Sequence, residues 1–245
     1  MILIVLNLAL EQEKLSGNND VGVKKVRVLI YNGPETSDNC VGKVEDCLEK
    51  SNKKNLTSNV KFVYNTTEIV DNQTLSSYDV LVMPGSVIGY DYLDSESVDG
   101  NAIKNFVANG KGYVGICAGA YSGSKYIDGW YSGWGIAPHV IVKPVLNQEN
   151  LTVQITPAGK QIFDYGGTQT MPHINGPAMY TSGGDTVTFA TYDDHAGDQG
   201  YAAIIGDYYG QGRTVLSGVH PELEPQHPEM MADLILWAAN VTPTS

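Results

Sequence analysis

Apolar and polar residues alternate in blocks between residues 24 and 116, in a way that is typical of strands joined by helices. Residues 24–32 (KKVRVLIYN) alternate and then run apolar, and residues 78–83 (YDVLVM) are apolar enough for burial on both faces. Residues 60–65 (VKFVYN) and the short apolar run that ends at Ile116 continue the pattern. These segments predict four strands of a parallel sheet.

Helical spacing fills the segments between these strands. Apolar residues recur every three or four positions after Ser37 or Asp38, either of which can cap a helix, and again over residues 101–109 before Gly110. A further helix is predicted over residues 228–240. This alternation predicts an α/β fold with a doubly wound, mostly parallel sheet and helices on both faces, whose ligands bind beyond the carboxyl ends of the strands.

The pattern changes in the second half of the chain. Residues 138–217 contain short β segments separated by Gly, Pro, Asn and Asp, which predicts an antiparallel β extension that returns to the main sheet through its last two strands. Residues 121–135 (YSGSKYIDGWYSGWG) show no clean period and are predicted as a loop or short helix, not a strand. Their large aromatic side chains either roof a pocket or serve as packing anchors. These are Trp130, Tyr131 and Trp134.

Cys117 stands where an apolar strand meets a run of small residues, in the segment KGYVGICAGAY. A strand that turns abruptly into a helix strains its corner residue, and small neighbours such as Gly115, Ala118 and Gly119 allow the close passage. The N-terminus of the following helix favours an anion, so a thiolate is expected at this nucleophile elbow. The alternative interpretation is a buried cysteine in a Gly-rich strand end.

His220 and Glu222 follow another predicted strand, GRTVLSG, so they are expected at the same sheet edge as Cys117. Glu222, held in an extended turn by Pro221, can orient the imidazole through its far ring nitrogen. The backbone N–H of Ala118 and that of Gly85 or Ser86 can bind an oxyanion. Taken alone, the segment HPE would indicate a solvated turn. With the elbow and the turn after residue 83, it predicts a nucleophile, a base and an orienting carboxylate.

The composition excludes some partners. The formal net charge of −12 and the pI near 4.7 argue against nucleic acid or an anionic membrane surface as the main partner. Cys40 and Cys47 lie about 10 Å apart along one predicted helix, too far for an unstrained disulfide, and are expected to be core or surface thiols. No zinc-type spacing is present, so no metal and no cofactor are expected. One Gly-rich turn contains residues that could bind a metal, but a solvated loop is the favoured interpretation. Its residues are Asp193, Asp194, His195 and Asp198.

The N-terminal residues 1–23 are treated as a separate segment, because MILIVLNLAL is apolar and a polar linker follows. The segment is interpreted as a signal or anchor remnant, with an extra strand or helix as the alternative. Five N-x-S/T sequons point weakly to export or membrane association, and the cytoplasm is the alternative. They lie at Asn55, Asn65, Asn72, Asn150 and Asn240. Residues 24–240 are predicted to form one domain, and residues 241–245 a tail.

Three segments together resemble a known superfamily. VMPGS at 82–86, GICAGAY at 115–121 and HPE at 220–222 resemble the class I glutamine amidotransferase-like superfamily. Over residues 24–240 the chain looks most like the N-terminal domain of some biotin-protein ligases. The resemblance implies a flavodoxin-like sheet, Cys117 as nucleophile, His220 and Glu222 as its partners, and the Gly85 turn as part of an oxyanion hole.

The sequence also departs from the family pattern. The turn is P-G-S where the family usually has P-G-G, and Ala118 stands where the related intracellular proteases carry a histidine after the nucleophile. No ligase part is recognisable. Residues 171–177 (MPHINGP) resemble the family's loop before the pocket, and His139 and His173 can equally be structural. The candidates for a substrate pocket are Tyr90, Tyr121, His173 and Asn175.

Two functions are favoured from the sequence, ahead of a glyoxalase or peptidase activity on the same fold, which the lack of a histidine after Cys117 disfavours. The first is a cysteine hydrolase or amidotransferase-like enzyme, in which Cys117 attacks a carboxamide or related carbonyl of a small-molecule or amide substrate. The second is a catalytically silent binding or regulatory module on the same fold. A membrane is expected as a partner only if the N-terminal segment is an anchor, and a homodimer stays open.

Overall fold

The computed structural model describes residues 22–242. Within them the chain forms an α/β fold with one mixed sheet of twelve strands and six α-helices. The strands are β1 (Lys24–Tyr31), β2 (Val60–Thr67), β3 (Val80–Met83), β4 (Gly112–Ile116), β5 (Ser124–Ile127), β6 (Ala137–Pro144), β7 (Gln148–Ile155), β8 (Gly167–Ile174), β9 (Pro177–Thr181), β10 (Val187–Tyr192), β11 (Ala202–Tyr209) and β12 (Gly212–Ser217). The helices are α1 (Asp38–Lys54), α2 (Asn72–Leu75), α3 (Gly100–Ala108), α4 (Ala118–Gly123), α5 (Pro157–Phe163) and α6 (Pro228–Ala238).

The parallel half of the sheet has the strand order β2-β1-β3-β4-β12. Met83 of β3 and Leu216 of β12 both pair with Gly115 of β4, so these three strands end at the same level. The segments that leave them therefore meet at one edge of the sheet, as parallel strands require. This edge carries the residues that the sequence singles out for chemistry.

The antiparallel extension is confirmed, and it returns to the parallel strands through β11 and β12. β11 pairs antiparallel with β12, and β10, β7 and β8 follow outward from β11. β9 joins β11 to β6, which pairs with β5. The extension brings the end of β8 over the edge where β4 stops, and thus supplies one wall of the site.

Helices cover both faces of the parallel strands, as predicted. Val28 and Ile30 of β1 belong to the apolar cluster that contains the buried faces of α1 and α6. Leu29 and Tyr31 point the other way, into the cluster that contains the buried face of α3. Because successive strand residues face opposite sides, a continuous apolar run is what a doubly covered strand needs.

Helix capping follows the sequence signals at two positions. The Ser37 side chain accepts a hydrogen bond from the backbone N–H of Cys40 and thereby caps α1. Asp99 accepts from the N–H groups of Asn101 and Ala102 and caps α3. These caps place the start of α1 just beyond the end of β1, close to the carboxyl edge of the sheet.

One secondary-structure prediction was wrong and three elements were missed. Residues 121–135 were predicted to hold no strand, but residues 124–127 form β5 and pair in parallel with β6. Only the first and last of these four residues are buried, so the strand is defined by its partner rather than by its own pattern. The helices α2 and α5 and the edge strand β8 were not anticipated.

The prediction of a signal or anchor remnant falls almost entirely on residues 1–21, which lie outside the described residues. Among residues 22–242, no helix combines the length and the apolar character needed to cross a membrane. All five sequon asparagines are exposed at the surface. That exposure is required for glycosylation, and export stays a prediction.

Asp233 on α6 gives the fold a dependence on pH. Burial, with the negative charges of Glu229 and Asp164 nearby, raises the pKa of Asp233 from 3.8 to about 7. The folded protein therefore holds a proton that the unfolded chain releases between these two values, and stability falls as the pH rises from about 4 to 7.

The substitution Asp233→Asn is expected to remove this penalty. At pH 8 the variant should be more stable than the wild type by up to about 4 kcal/mol, and at pH 4 the two should be nearly equal. Thermal unfolding at both pH values measures the difference, with the exposed Asp185→Asn as the control. A gain of the same size at pH 4 would contradict the assignment to this carboxyl group.

Candidate functional site

Cys117 occupies a strained corner between β4 and α4. Its backbone has φ 53° and ψ −105°, a region that side-chain-bearing residues rarely adopt and that costs about 1–3 kcal/mol. The corner is tight because a Cβ on Gly119 would overlap the carbonyl oxygen of Met83, and one on Gly115 would overlap that of Gly119. The small residues around Cys117 therefore serve this close approach, as the sequence indicates.

The Cys117 side chain sits at the edge of the site with 9% of its surface exposed. Its thiol donates a hydrogen bond to the carbonyl oxygen of Ile174, 3.3 Å away, at the end of β8. The Cys117 side chain makes no capping hydrogen bond at the start of α4. Ala118 is the first residue of that helix, so its backbone N–H has no intrahelical acceptor, and it directly follows Cys117 in the chain.

His220 and Glu222 form a buried pair after β12. The Glu222 Oε1 atom lies 2.8 Å from Nδ1 of His220, and the two residues are 0% and 1% exposed. The backbone N–H of His220 also donates to the carbonyl oxygen of Pro172, which fixes the turn. Since a carboxylate can only accept, the hydrogen at this contact belongs to Nδ1.

The electrostatics of this pair favour a protonated imidazole. Burial alone would lower the pKa of His220, but the negative charge of Glu222 and the contacts with Cys117 and Cys40 raise it well above its ordinary value of 6.5. A protonated imidazole beside a sulfur stabilises the thiolate form of that sulfur.

Cys117 and His220 both lie close to Gly85. A Cβ added to Gly85 would lie 3.0 Å from Cε1 of His220 and 3.7 Å from Cβ of Cys117. The predicted nucleophile and base therefore flank the same glycine, although about a hundred residues separate them in sequence. The sequence-based expectation of a shared edge is met.

Two polar atoms of this group have no hydrogen-bond partner among residues 22–242. They are Nε2 of His220 and Oε2 of Glu222, both buried. Buried polar atoms without partners are costly and often mark sites that bind or react. The free Nε2 is the ring nitrogen that remains for a reacting group once Nδ1 is held by Glu222.

The predicted oxyanion donors lie around the same point. A Cβ added to Gly85 would approach Cys117 and His220 as described, and Ala118 directly follows Cys117. The Ser86 hydroxyl donates to the carbonyl oxygen of Glu35 at 2.8 Å and accepts from the N–H groups of Ile88 and Gly89. The Ser86 side chain thus builds the following turn, and only its backbone N–H is available to a ligand.

Cys40 is part of the site, although its sequence pattern predicts only a core or surface thiol. Its sulfur lies 4.0 Å from Nδ1 of His220, and the residue is 4% exposed. Its position in the first turn of α1 was the available signal, because β1 ends at the same carboxyl edge as β4 and β12. Cys47, two turns further along α1, is a core thiol.

Aromatic side chains line the opening next to Cys117. The Tyr90 ring lies 6.0 Å from that of Tyr121 and 5.2 Å from that of Trp130, and Tyr121 donates to the carbonyl oxygen of Asn175. A neighbouring cavity of about 390 Å³ is lined partly by Ser86, Tyr90 and Tyr131. Tyr90 and Tyr121 are therefore near the site, with Tyr121 fully buried beneath Tyr90.

The aromatic residues of the predicted loop have different roles. Trp134 is buried and packs edge-on against Tyr113, so it is an anchor of the core. Trp130 and Tyr131 are about half exposed, and the Tyr131 hydroxyl donates to Asp91. Only these two remain available to cover a ligand.

The two remaining histidine candidates have structural surroundings. Both ring nitrogens of the buried His173 lie near backbone carbonyls, of Asn147 and Gly176, and burial lowers its pKa. Its side chain therefore supports the loop from within. Nδ1 of His139, on β6, lies 3.0 Å from Oδ1 of Asp207, on β11.

The Gly-rich turn does not gather metal ligands in the described part of the chain. Asp194 caps a short 3-10 turn that contains His195, and Asp198 forms an ion pair with Lys143 at 2.7 Å. The group of residues here that could hold a metal ion is instead Cys40, His220 and Glu222.

One family model matches part of the chain. Residues 26–132 match the family model described as biotin-protein ligase, N terminal. The match includes the Gly85 turn and the Cys117 corner and stops before His220. No curated protein matches the chain in sequence. The predicted relation to this family is thus supported for the first half of the chain.

The solved structures that resemble the chain share its fold at low sequence identity. A protein described as ThuA-like from Bacteroides uniformis has a TM-score of 0.61 at 12% identity, with 91% of this chain and 94% of that chain covered. A protein from Thermoplasma acidophilum, described as part of a GMP synthase, has a TM-score of 0.52 at 16% identity, covering 88% and 94%.

A larger enzyme contains the same fold as one part. The β-galactosidase of Rahnella sp. R3 has a TM-score of 0.59 at 13% identity and covers 89% of this chain, but the match spans only 32% of that enzyme. These identities establish a shared fold and carry no activity to this chain.

Proposed function

We propose that the protein is a cysteine hydrolase or amidotransferase-like enzyme, with Cys117, His220 and Glu222 as its catalytic triad. The observation that carries the proposal is the position of Cys117 on a strained corner beside the 2.8 Å His220–Glu222 pair. A purely structural cysteine has no need of such a corner, because it gains nothing from the strain. The partners supply the activation and orientation that a thiol nucleophile needs.

The proposed reaction proceeds through a thioester. The Cys117 sulfur attacks the carbonyl carbon of a carboxamide, and the C–N bond breaks as His220 gives a proton to the leaving amine. His220 then takes a proton from a water molecule while the water oxygen attacks the carbonyl carbon of the thioester, and the C–S bond breaks to release the acid. The N–H groups of Ala118 and of Gly85 or Ser86 bind the oxyanion in both steps.

The fold and the comparisons support this assignment to a superfamily. The order β2-β1-β3-β4-β12 agrees with a flavodoxin-like arrangement, in which ligands bind beyond the carboxyl ends of the strands. The family match over residues 26–132 and the GMP synthase-like neighbour favour a class I glutamine amidotransferase-like domain. The single domain over residues 24–240 and a small amide substrate belong to the same proposal.

A second candidate is a catalytically silent binding module. It is favoured by the hydrogen bond from the Cys117 thiol to the carbonyl oxygen of Ile174, which directs the thiol hydrogen to a backbone group. In an enzyme without substrate, catalytic contacts are commonly loose and tighten on binding, so the same observation fits the first candidate.

Ammonia release from a panel of carboxamides distinguishes the two candidates. The panel should contain glutamine, asparagine, short peptide amides and small aliphatic amides, each tested with the wild type and with Cys117→Ser. Release that depends on Cys117 is expected for at least one member. If a carboxamide binds but the wild type releases ammonia no faster than Cys117→Ser does, the silent module is favoured.

A further inference from the structure

Cys40, His220 and Glu222 place three metal-binding atoms together in the interior. A sulfur, a ring nitrogen and a carboxylate oxygen from these residues lie within 4.8 Å of one another, and all three residues are buried. They come from two distant parts of the chain: Cys40 from the start of α1, and His220 and Glu222 from the turn after β12. Their convergence therefore needs an explanation beyond helix packing.

The donor set selects for one kind of ion. A thiolate and an imidazole with one carboxylate suit borderline-soft Zn²⁺, whereas Mg²⁺ and Ca²⁺ prefer oxygen ligands alone. With Zn–S and Zn–N bonds of about 2.3 and 2.1 Å, the two atoms stand about 3.6 Å apart in a tetrahedral site and at most about 4.4 Å apart. The 4.0 Å between Sγ of Cys40 and Nδ1 of His220 lies inside this interval.

The carboxylate also has unused capacity. Oε2 of Glu222 is buried and without a hydrogen-bond partner among the described residues, and Glu222 itself is 0% exposed. An unpartnered carboxylate oxygen in the interior is costly, and a cation is the ligand that satisfies it best. Gly85 leaves the space open, since a Cβ there would lie 3.4 Å from the Cys40 sulfur.

We propose that Cys40, His220 and Glu222 form a Zn²⁺ site that switches off Cys117. The inhibitory role rests on the proposed function, whereas the binding itself does not. Zinc displaces the hydrogen from Nδ1 of His220 and from the Cys40 thiol. The Nδ1–H contact with Glu222 then no longer exists. Nδ1 of His220 and the carboxylate of Glu222 can therefore either bind the metal ion or form the hydrogen bond that orients the imidazole, but not both at once.

Cobalt binding tests the site without reference to activity. The full chain should bind one Co²⁺ and show thiolate-to-cobalt charge-transfer absorption, which Zn²⁺ abolishes by displacement. Cys40→Ser should lose this absorption, while Cys117→Ser and the buried-thiol control Cys47→Ser should retain it. Absorption that survives in Cys40→Ser, that is lost in Cys117→Ser, or that is absent from the wild type would overturn the proposal.

Alkylation of Cys117 by iodoacetamide tests the inhibition. At a free Zn²⁺ concentration of ten times its dissociation constant, about nine tenths of the sites are occupied. The wild-type alkylation rate should therefore fall about tenfold. The Cys40→Ser rate should not change with zinc. If Cys117 of the metal-free wild type proves unreactive, the proposed function fails, while the cobalt result still decides the zinc site. A zinc effect that persists in Cys40→Ser would contradict the inhibition through this site.

Discussion

Replacing Cys117 by serine is expected to abolish labelling of the protein by a small electrophile and any amide turnover. The expectation follows from exposure and electrostatics together. Cys117 lies at the open edge of the site beside a histidine whose pKa is raised, while Cys40 and Cys47 are 4% and 1% exposed. Burial raises the pKa of the Cys47 thiol far above its ordinary value of 9.0. One label per chain should therefore be carried by Cys117 alone.

Labelling with iodoacetamide near neutral pH, followed by peptide mass spectrometry, measures this directly. The wild type and Cys47→Ser should each carry one carbamidomethyl group on the peptide that contains Cys117. The reaction time should be at least ten times the time that the wild type needs for full labelling. Over that time Cys117→Ser should carry no carbamidomethyl group. Full labelling of Cys117→Ser, or a wild type labelled at Cys47, would contradict the assignment of the reactive sulfur.

The activated corner is a costly feature that the rest of the fold sustains. A non-glycine residue at φ 53° and ψ −105° is strained, and the close contact with Met83 permits only glycine at position 119. The buried pair of His220 and Glu222 adds a desolvation cost that their attraction must offset. The doubly covered parallel sheet around the corner supplies the packing that holds both in place.

The parallel strands and the chemistry at their ends could be predicted because their signals are local. Continuous apolar runs mark strands covered on both faces, and the glycines around Cys117 report a close approach wherever they occur. The order of such strands in a doubly wound sheet then brings the turns after β3, β4 and β12 to one edge. No knowledge of side-chain contacts is needed for that step.

The missed elements depend on partners that the sequence does not reveal. The strand β5 has two buried residues among four and takes its register from β6. β8 lies at the sheet edge, is polar over its first half and contains Pro172. By contrast, α5 carried a readable signal, since Thr156 caps it and Pro157 begins it.

Cys40 was assigned only as a core or surface thiol because its helix was considered apart from the site. Its spacing from Cys47 explains its burial on α1 and gives no hint of His220, which lies 180 residues further on. The start of a crossover helix adjoins the carboxyl edge of its own strand, so first-turn residues of such helices belong among the site candidates.

Replacing His220 by glutamine is expected to slow the reaction of Cys117 by about a hundredfold, the lower end of the range for a positioned acid or base. Glutamine keeps a polar group beside Glu222 but cannot carry the positive charge that the proposed mechanism places near the Cys117 sulfur. Glu222→Gln should have a smaller effect, about tenfold, because it lowers the pKa of His220 without removing the ring. His139→Gln disrupts a comparable histidine–carboxylate pair at 3.0 Å from Asp207 and should have no effect.

The rate of Cys117 alkylation at pH 7 in the wild type, His220→Gln, Glu222→Gln and His139→Gln is the most direct test, with circular dichroism confirming that each variant is folded. We expect the rate to fall in the order wild type and His139→Gln, then Glu222→Gln, then His220→Gln. Equal rates in all four folded proteins would show that the sulfur reacts independently of His220 and Glu222 and would contradict their proposed roles.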